Sequence, residues 1–179
     1  MKKSQIYFYG LLFALIVLLS NYAVQFNVGS IEYLTYGALI YPFSFLLLDI
    51  LSEKNTKKDV LSVVRYGVLL AFIPSLLLAQ PLIAISSICS FLISQPLDVI
   101  IFFVLKKIFP KLWWVRNNVS TVIAQFFDTM IFYHIAFMLV WSWDKIILTA
   151  MIDFFIKIVL SILNTPFFYL FAVRLKRSI

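Results

Sequence analysis

The chain has 179 residues, of which 63% are hydrophobic, only 13% are charged and 19 are phenylalanine. Soluble domains are about half apolar and a quarter charged, so this composition excludes an ordinary soluble protein and predicts an integral membrane protein. The formal net charge of +7 does not indicate nucleic-acid binding, because the basic residues lie in short segments between long apolar runs.

Six apolar segments are each long enough to cross a bilayer as a helix, which needs about 20 mostly apolar residues. No polar, glycine-rich or proline-rich linker divides them, so we predict an all-α integral membrane protein with a single six-helix transmembrane domain, residues 1–179. Only Gln80-Pro81 separates the third apolar segment from the fourth, which predicts a tight turn between these two spans. The predicted spans are residues 6–26, 34–51, 60–79, 81–105, 119–141 and 146–173.

The first segment begins with Met-Lys-Lys and could be a cleaved signal peptide. We interpret it as a span, because it is too long for a signal peptide and no clear small-residue cleavage site follows it.

The distribution of Lys and Arg predicts the orientation, because short basic loops stay in the cytoplasm. The opposite connections hold only Lys145, and the sixth span contains Lys157. Both the N and the C terminus are therefore predicted to be cytoplasmic. The 13 of 15 basic residues on that side are Lys2, Lys3, Lys54, Lys57, Lys58, Arg65, Lys106, Lys107, Lys111, Arg116, Arg174, Lys176 and Arg177.

Two stretches thirty residues apart, SFLISQPLDVIIFF and STVIAQFFDTMIFY, repeat one pattern. Each places a Gln and an Asp three residues apart in an apolar run, at Gln95 and Asp98 and at Gln125 and Asp128. Residues three apart share a helix face, so each pair presents an amide and a carboxylate to the same side. A charge near the bilayer centre costs at least ~2.5 kcal/mol on insertion scales, so each carboxylate requires a partner or a function.

The depth of the two motifs suggests how they are arranged. Asp98 should lie roughly 10 Å, and Asp128 roughly 14 Å, from the cytoplasmic ends of the fourth and fifth spans. These spans run in opposite directions, so motifs at similar depth predict an inverted pairing of helices 4 and 5, as found around the binding sites of transporters. The alternative is that the polar groups only hold helices together by hydrogen bonds.

Lys157 and Asp153 lie four residues apart on the sixth span and are predicted to form an ion pair. His134 is on a different face from Asp128 and is predicted to pack rather than to relay protons. The Phe residues beside the motifs could pack or stack on a planar ligand, and packing is the default. They are Phe91, Phe126 and Phe127.

The sequence contains no glycine-rich phosphate loop, His-Glu-x-x-His pair, cysteine cluster or Gly-x-Ser-x-Gly elbow. Two close carboxylates could form an aspartyl dyad, but the paired Gln residues suit ligand binding better. We therefore predict a transporter rather than an enzyme, with no cofactor and no metal site.

Three segments carry a family resemblance: WVRNNVSTVIAQFFDTMIF, YPFSFLLLDILSE and KIVLSILNTPFFYL. They resemble the queuosine precursor transporter family, also called vitamin uptake transporters. The resemblance implies a six-helix, multi-pass protein of the bacterial cell inner membrane. It also implies import of 7-deazaguanine bases for tRNA modification, such as 7-cyano-7-deazaguanine or 7-aminomethyl-7-deazaguanine, with queuine left open. After Glu53 the chain departs from the family and reads KNTKKD, so the choice among these bases stays open.

The implied partners are a purine-like small molecule and the lipid bilayer, with no nucleic acid, and homo-oligomerisation is left open. A guanine-like face offers N–H donors and a carbonyl acceptor, which carboxylates and amides can satisfy together. Asp49 and Asn118 lie in the segments that carry the resemblance. The candidate substrate-binding residues are Gln95, Asp98, Gln125, Asp128, Asp49, Lys157 and Asn118.

Two other functions stay open at this point. One is a substrate-binding membrane subunit that docks on a separate ATP-driven module, for which Gly10-x-x-x-Ala14 is the one modest docking motif. The other is a membrane assembly protein that transports nothing.

Overall fold

The computed structural model describes residues 1–29 and 34–174 and is a bundle of helices. Six helical segments are long and apolar enough to cross a membrane, so the predicted six-helix transmembrane bundle is confirmed. The predicted basic residues Lys176 and Arg177 lie outside the described residues. The helices are α1 Lys3–Ala23, α2 Tyr36–Ile40, α3 Pro42–Lys54, α4 Lys57–Leu78, α5 Pro81–Ile108, α6 Trp113–Phe137 and α7 Trp143–Phe168, which continues as a π-helix over Tyr169–Arg174.

The second span, predicted over residues 34–51, runs over Tyr36–Lys54 and is interrupted at one residue. Its two parts are α2 and α3, and Tyr41 stands between them. Pro42 is the first residue of α3, a position that tolerates proline because the N–H there has no partner within the helix. Tyr41 itself keeps helical backbone angles, φ −53° and ψ −43°, so the two parts follow one another as one span.

The fifth span begins earlier than predicted, at Trp113 instead of residue 119. Arg116 and Asn117, which the sequence placed in a cytoplasmic loop or at its edge, are buried residues of α6. The physical reason is an ion pair: the guanidinium of Arg116 lies 3.0 Å from the carboxylate of Glu53 on α3. A polar residue can therefore belong to a span when another helix supplies its partner.

Helices α5 and α6 share the most extensive interface in the described structure, followed by α1 with α4 and α6 with α7. Only Ala79 and Gln80 connect α4 to α5, which confirms the predicted tight turn. Because six described spans cross the bundle, Met1 and Arg174 lie at the same end of it. We call this the basic end, since Lys54, Lys57 and Lys106 also lie there; the other is the opposite end.

Close packing joins α1 to α4. A Cβ atom at Gly67 would lie 2.8 Å from the backbone oxygen of Gly10, so the two helices touch at their glycines. Gly10 and Ala14 are both buried. The motif considered for docking to an ATP-driven module is thus covered by the chain itself, which leaves that alternative without its supporting feature.

We expect Gly67→Leu to destabilise the protein by ~1–3 kcal/mol, because the added side chain must separate α1 from α4. Thermal unfolding of the purified protein in detergent, followed by intrinsic fluorescence, measures the effect. Leu69→Ala is the control, since Leu69 is on the same helix and 67% exposed. Equal melting temperatures for Gly67→Leu and the wild type would contradict the close contact.

Candidate functional site

A cavity of about 280 Å³ lies in the half of the bundle away from the basic end. We call it the large cavity only to distinguish it from a small cavity described below, since a groove of about 700 Å³ beside α4 is larger. Helices α1, α2, α5, α6 and α7 all contribute to the wall of the large cavity. Its volume is near the lower limit for small-molecule sites. Among its lining residues are Tyr41, Phe91, Asp128, Asp153 and Lys157.

The buried charges of the large cavity belong to one cluster. The ammonium of Lys157 lies 2.7 Å from the carboxylate of Asp153, which confirms the predicted ion pair, and 3.9 Å from that of Asp128. Lys157 also donates a hydrogen bond to the hydroxyl of Thr129 at 3.3 Å. Asp128 accepts one from Ser94 of α5 at 2.8 Å. With both carboxylates ionised, two negative charges and one positive charge leave the cluster with a net charge of −1.

Tyr41 forms part of the floor of this cavity. Its hydroxyl lies beside Asp128, Ser94 and Gln95, yet it makes no hydrogen bond to any residue in the described part of the chain. Its ring is nearly parallel to that of Phe91, with centroids 5.3 Å apart and an angle of 11°. The ring also contacts Phe45, and the ammonium of Lys157 lies 4.7 Å from its centroid, so Tyr41 offers a ligand its hydroxyl rather than an open ring face.

The Phe residues of the fifth span do not contribute to this floor. Phe126 and Phe127 are 38% and 44% exposed and are not among the lining residues of the large cavity. His134 packs, as predicted: its ring lies 5.3 Å from that of Trp143, and its Nδ1 atom is 2.7 Å from the backbone oxygen of Met130.

The two glutamines of the repeated motif lie deeper, and both are fully buried. The amide nitrogen of Gln95 donates to Ser44 of α3 at 3.2 Å, and that of Gln125 donates to Ser161 of α7 at 2.8 Å. Their side-chain oxygens accept no hydrogen bond within the described residues. Each glutamine thus joins its own helix to a neighbour and keeps one acceptor unused.

The two aspartates of the motif do not share a depth, contrary to the prediction. Asp128 bonds to Ser94 of α5, whereas Asp98 lies beside Ser120 and Thr121 of α6. In antiparallel helices with this register, Gln95 and Gln125 lie at the same depth. Asp98 then lies about 4.5 Å nearer the basic end, and Asp128 about 4.5 Å nearer the opposite end. A two-fold axis in the membrane plane, at the level of the glutamines, relates a residue above the axis to its equivalent below it. The two aspartates must then lie on opposite sides of the glutamines.

Asp98 lies beside Asp49 of α3, on the basic side of the glutamines. Asp49 accepts a hydrogen bond from Thr121 at 3.1 Å. A second cavity, the small cavity, has a volume of about 10 Å³, close to that of one water molecule. Its polar lining residues are Asp49, Asn117, Thr121, Ser161 and Asn164.

The structure brings Asn118 into neither cavity. Its amide donates to the backbone oxygen of Trp114 at 2.9 Å and accepts from Thr165 at 2.9 Å. Its neighbour Asn117 lines the small cavity instead. A helical count would have found this: at 3.6 residues per turn, Asn117 lies about 20° around the helix from Asp128, whereas Asn118 lies about 80° away.

The spans are tied together at the basic end by Glu53, Lys106 and Arg116, which we call the basic-end closure. Glu53 contacts Arg116 at 3.0 Å and Lys106 at 3.7 Å. Lys106 also donates to the backbone oxygens of Ser52 and Glu53, both at 2.8 Å. The closure therefore joins α3, α5 and α6.

The seven predicted site residues are thus distributed over several places. Asp128 and Lys157 line the large cavity, and Asp49 lines the small one with Asp98 beside it. Gln95 and Gln125 lie between the two cavities. Sequence reasoning missed Tyr41, Asn117 and Thr121 as cavity residues.

Comparison with known proteins places the chain in a family. Residues 73–171 match the family model described as "Putative vitamin uptake transporter". The chain belongs to the vitamin uptake transporter family. It is 31% identical to the "Probable queuosine precursor transporter" of Bacillus subtilis (strain 168) over 160 residues, which cover 75% of this chain and 70% of that protein. No solved structure matches the chain.

Two further relatives of this vitamin uptake transporter carry similar names. The "Queuosine precursor transporter" of Escherichia coli (strain K12) is 26% identical over 90% of this chain and 83% of its own length. The "Probable queuosine precursor transporter" of Haemophilus influenzae is 28% identical over 58% of this chain and 52% of its own length. The family resemblance is thereby confirmed. The chain is a transporter rather than an enzyme, and a multi-pass protein of the inner membrane.

Proposed function

We propose that this vitamin uptake transporter imports queuosine precursors of the 7-deazaguanine class, and that the large cavity holds the base. The observation that carries the proposal is the buried Asp128 carboxylate, 3.9 Å from the ammonium of Lys157, in a cavity of about 280 Å³. The relatives are named as transporters of queuosine precursors, which supports this part of the proposal.

The pairing edge of a guanine-type base has two adjacent N–H donors next to a carbonyl oxygen. A carboxylate accepts two hydrogen bonds, so Asp128 takes both N–H groups, while the Lys157 ammonium donates to the carbonyl. An adenine-type edge has one donor beside an acceptor and would leave Asp128 underpaired. Rejection of such a base follows, because a buried polar group without its partner is costly.

When Asp128 and Asp153 are both ionised, the large cavity has a net charge of −1, which bears on the substituent at position 7 of the base. An aminomethyl group is a cation at neutral pH and would neutralise the cluster of Asp128, Asp153 and Lys157, whereas a cyano group would not. We therefore place 7-aminomethyl-7-deazaguanine ahead of 7-cyano-7-deazaguanine within the proposed substrate class.

The proposed direction follows from the charge pattern. Basic connections stay in the cytoplasm, so the basic end, with both termini, faces inward and the large cavity faces outward. The base would enter from the outside and leave through the basic-end closure.

The experiment uses a bacterial strain that lacks both precursor synthesis and its own transporter. Expression of this chain should restore queuosine in tRNA when either proposed base is supplied, and the empty vector should not. If the protein is present in the membrane but none of the supplied precursors restores queuosine, the proposed function is wrong.

We expect base specificity to be visible in competition. Unlabelled 7-deazaguanine should inhibit uptake of a labelled precursor at least ~10-fold better than 7-deazaadenine, because Asp128 pairs with only the guanine-type edge. Uptake by proteoliposomes, with the competitor varied, gives the two inhibition constants. Equal inhibition by both would contradict the assigned role of Asp128.

A further inference from the structure

Among the described residues, the buried acidic side chains fall into three groups, and only two of these groups have a basic partner. Lys157 balances the acids of the large cavity, while Lys106 and Arg116 balance Glu53 at the closure. The third group, Asp49 and Asp98, lies between them. Within residues 1–29 and 34–174, no Lys or Arg lies within ion-pair distance of either carboxylate.

The same place has an excess of unpaired acceptors. Neither carboxylate oxygen of Asp98 and only one of Asp49 accepts a hydrogen bond from a described residue. The side-chain oxygen of Asn117 gives an independent sign of a ligand: Asn117 is only 5% exposed, lines the small cavity, and its oxygen is likewise unpaired in the described structure. These oxygens share the need for a positively charged or donating partner.

A single small cation satisfies this need. Two close carboxylates inside a membrane cannot both stay ionised without a counter-charge. Carboxylate, amide and hydroxyl oxygens are ligands for hard cations, and a volume of about 10 Å³ admits one small ion or water molecule and no base.

We propose that Asp49 and Asp98, with Asn117 and Thr121, form a site for one monovalent cation, a proton or Na⁺, that is transported together with the substrate. The site lies between the large cavity and the basic-end closure, where binding of the cation can be linked to binding of the base. The proposal rests on the proposed function for the identity of the co-transported base. The other polar or charged side chains that face the pair or line its cavity are Glu53 on α3, Ser120 on α6, and Ser161 and Asn164 on α7.

The test uses the purified full chain in liposomes and labelled 7-aminomethyl-7-deazaguanine. Accumulation is measured with an inward proton gradient, an inward Na⁺ gradient, both or neither. With an imposed gradient of about 10-fold, one of the two ions should raise accumulation up to ~10-fold, because one-to-one co-transport can transfer the concentration ratio of the ion to the base. The gradient that acts identifies the cation, and no response to either would overturn the proposal.

Asp49→Asn and Asp98→Asn should separate the two roles. Each should lose the gradient-driven accumulation, up to about 10-fold, yet retain most of the exchange of labelled for unlabelled base across the membrane, which needs no cation gradient. Asp128→Asn is the comparison and should lose both. The proposal fails if either of the first two variants still responds to the gradient, or loses exchange as completely as Asp128→Asn.

A measurement without substrate keeps the cation site testable if the base is wrongly assigned. The melting temperature of the wild type should change when Na⁺ replaces choline at constant ionic strength, or when pH is lowered, because a ligand of the folded state stabilises it. The double variant Asp49→Asn/Asp98→Asn should lose that response. An identical response in both proteins would overturn the cation site, whereas absence of base exchange in the wild type would overturn only the proposed function.

Discussion

Asp128→Asn is expected to reduce the initial rate of precursor uptake about 10- to 100-fold at low substrate concentration. The carboxylate is the proposed acceptor for two N–H groups of the base, and a hydrogen bond to a charged group contributes ~1.5–3 kcal/mol. The asparagine side chain has nearly the same shape and can still accept the hydrogen bond from Ser94, so the fold should persist. Uptake into proteoliposomes, normalised to the amount of inserted protein, measures the loss.

Asp144→Asn is the matched control, because it makes the same change at an exposed carboxylate in the first turn of α7. Its uptake should equal that of the wild type, since neither cavity contains Asp144. Wild-type uptake by Asp128→Asn would remove the large cavity from the list of substrate sites.

Arg116→Gln is expected to have the largest effect on stability, about 3–5 kcal/mol, because it leaves the buried Glu53 without its closest basic partner. The closure should also loosen at the basic end. Thermal unfolding in detergent measures the first effect, and thiol labelling measures the second. For labelling, Ser52→Cys is introduced into a Cys89→Ser background. The new thiol should be protected when residue 116 is Arg, since Ser52 is fully buried beside Glu53. It should become reactive in the Arg116→Gln variant.

Arg65→Gln serves as the control, because Arg65 is exposed on α4 and the substitution is the same. It should change neither the melting temperature nor the labelling. Glu53→Gln/Arg116→Gln should recover part of the stability lost in Arg116→Gln, because the unpaired charge is then gone as well. A double variant no more stable than Arg116→Gln would contradict the ion-pair explanation.

Six spans and their order could be predicted from the sequence because apolar length alone decides which segments cross a bilayer. The division of the second span could not, since proline at the start of a helix leaves an apolar run unbroken. The early start of α6 also escaped prediction. Arg116 looks like a loop residue until Glu53, 63 positions away, is known to face it.

The burial of the motif residues could likewise be predicted, because a carboxylate within a membrane span is costly to expose to lipid and therefore faces the interior of the bundle. Their separation into two cavities could not. Whether Asp98 faces Asp128 or Asp49 depends on the register of α5 against α6 and on which side α3 packs. One sequence does not contain that information, although the helical count along α6 does favour Asn117 over Asn118.

The level position of Gln95 and Gln125 has a consequence for the transport cycle. If the two-fold relation between α5 and α6 holds, the partner state of the transporter is obtained by exchanging the conformations of these helices. Asp98 would then line a cavity open to the basic end, and Asp128 would be enclosed as Asp98 is here. The glutamines would keep their depth and act as the pivot about which access alternates.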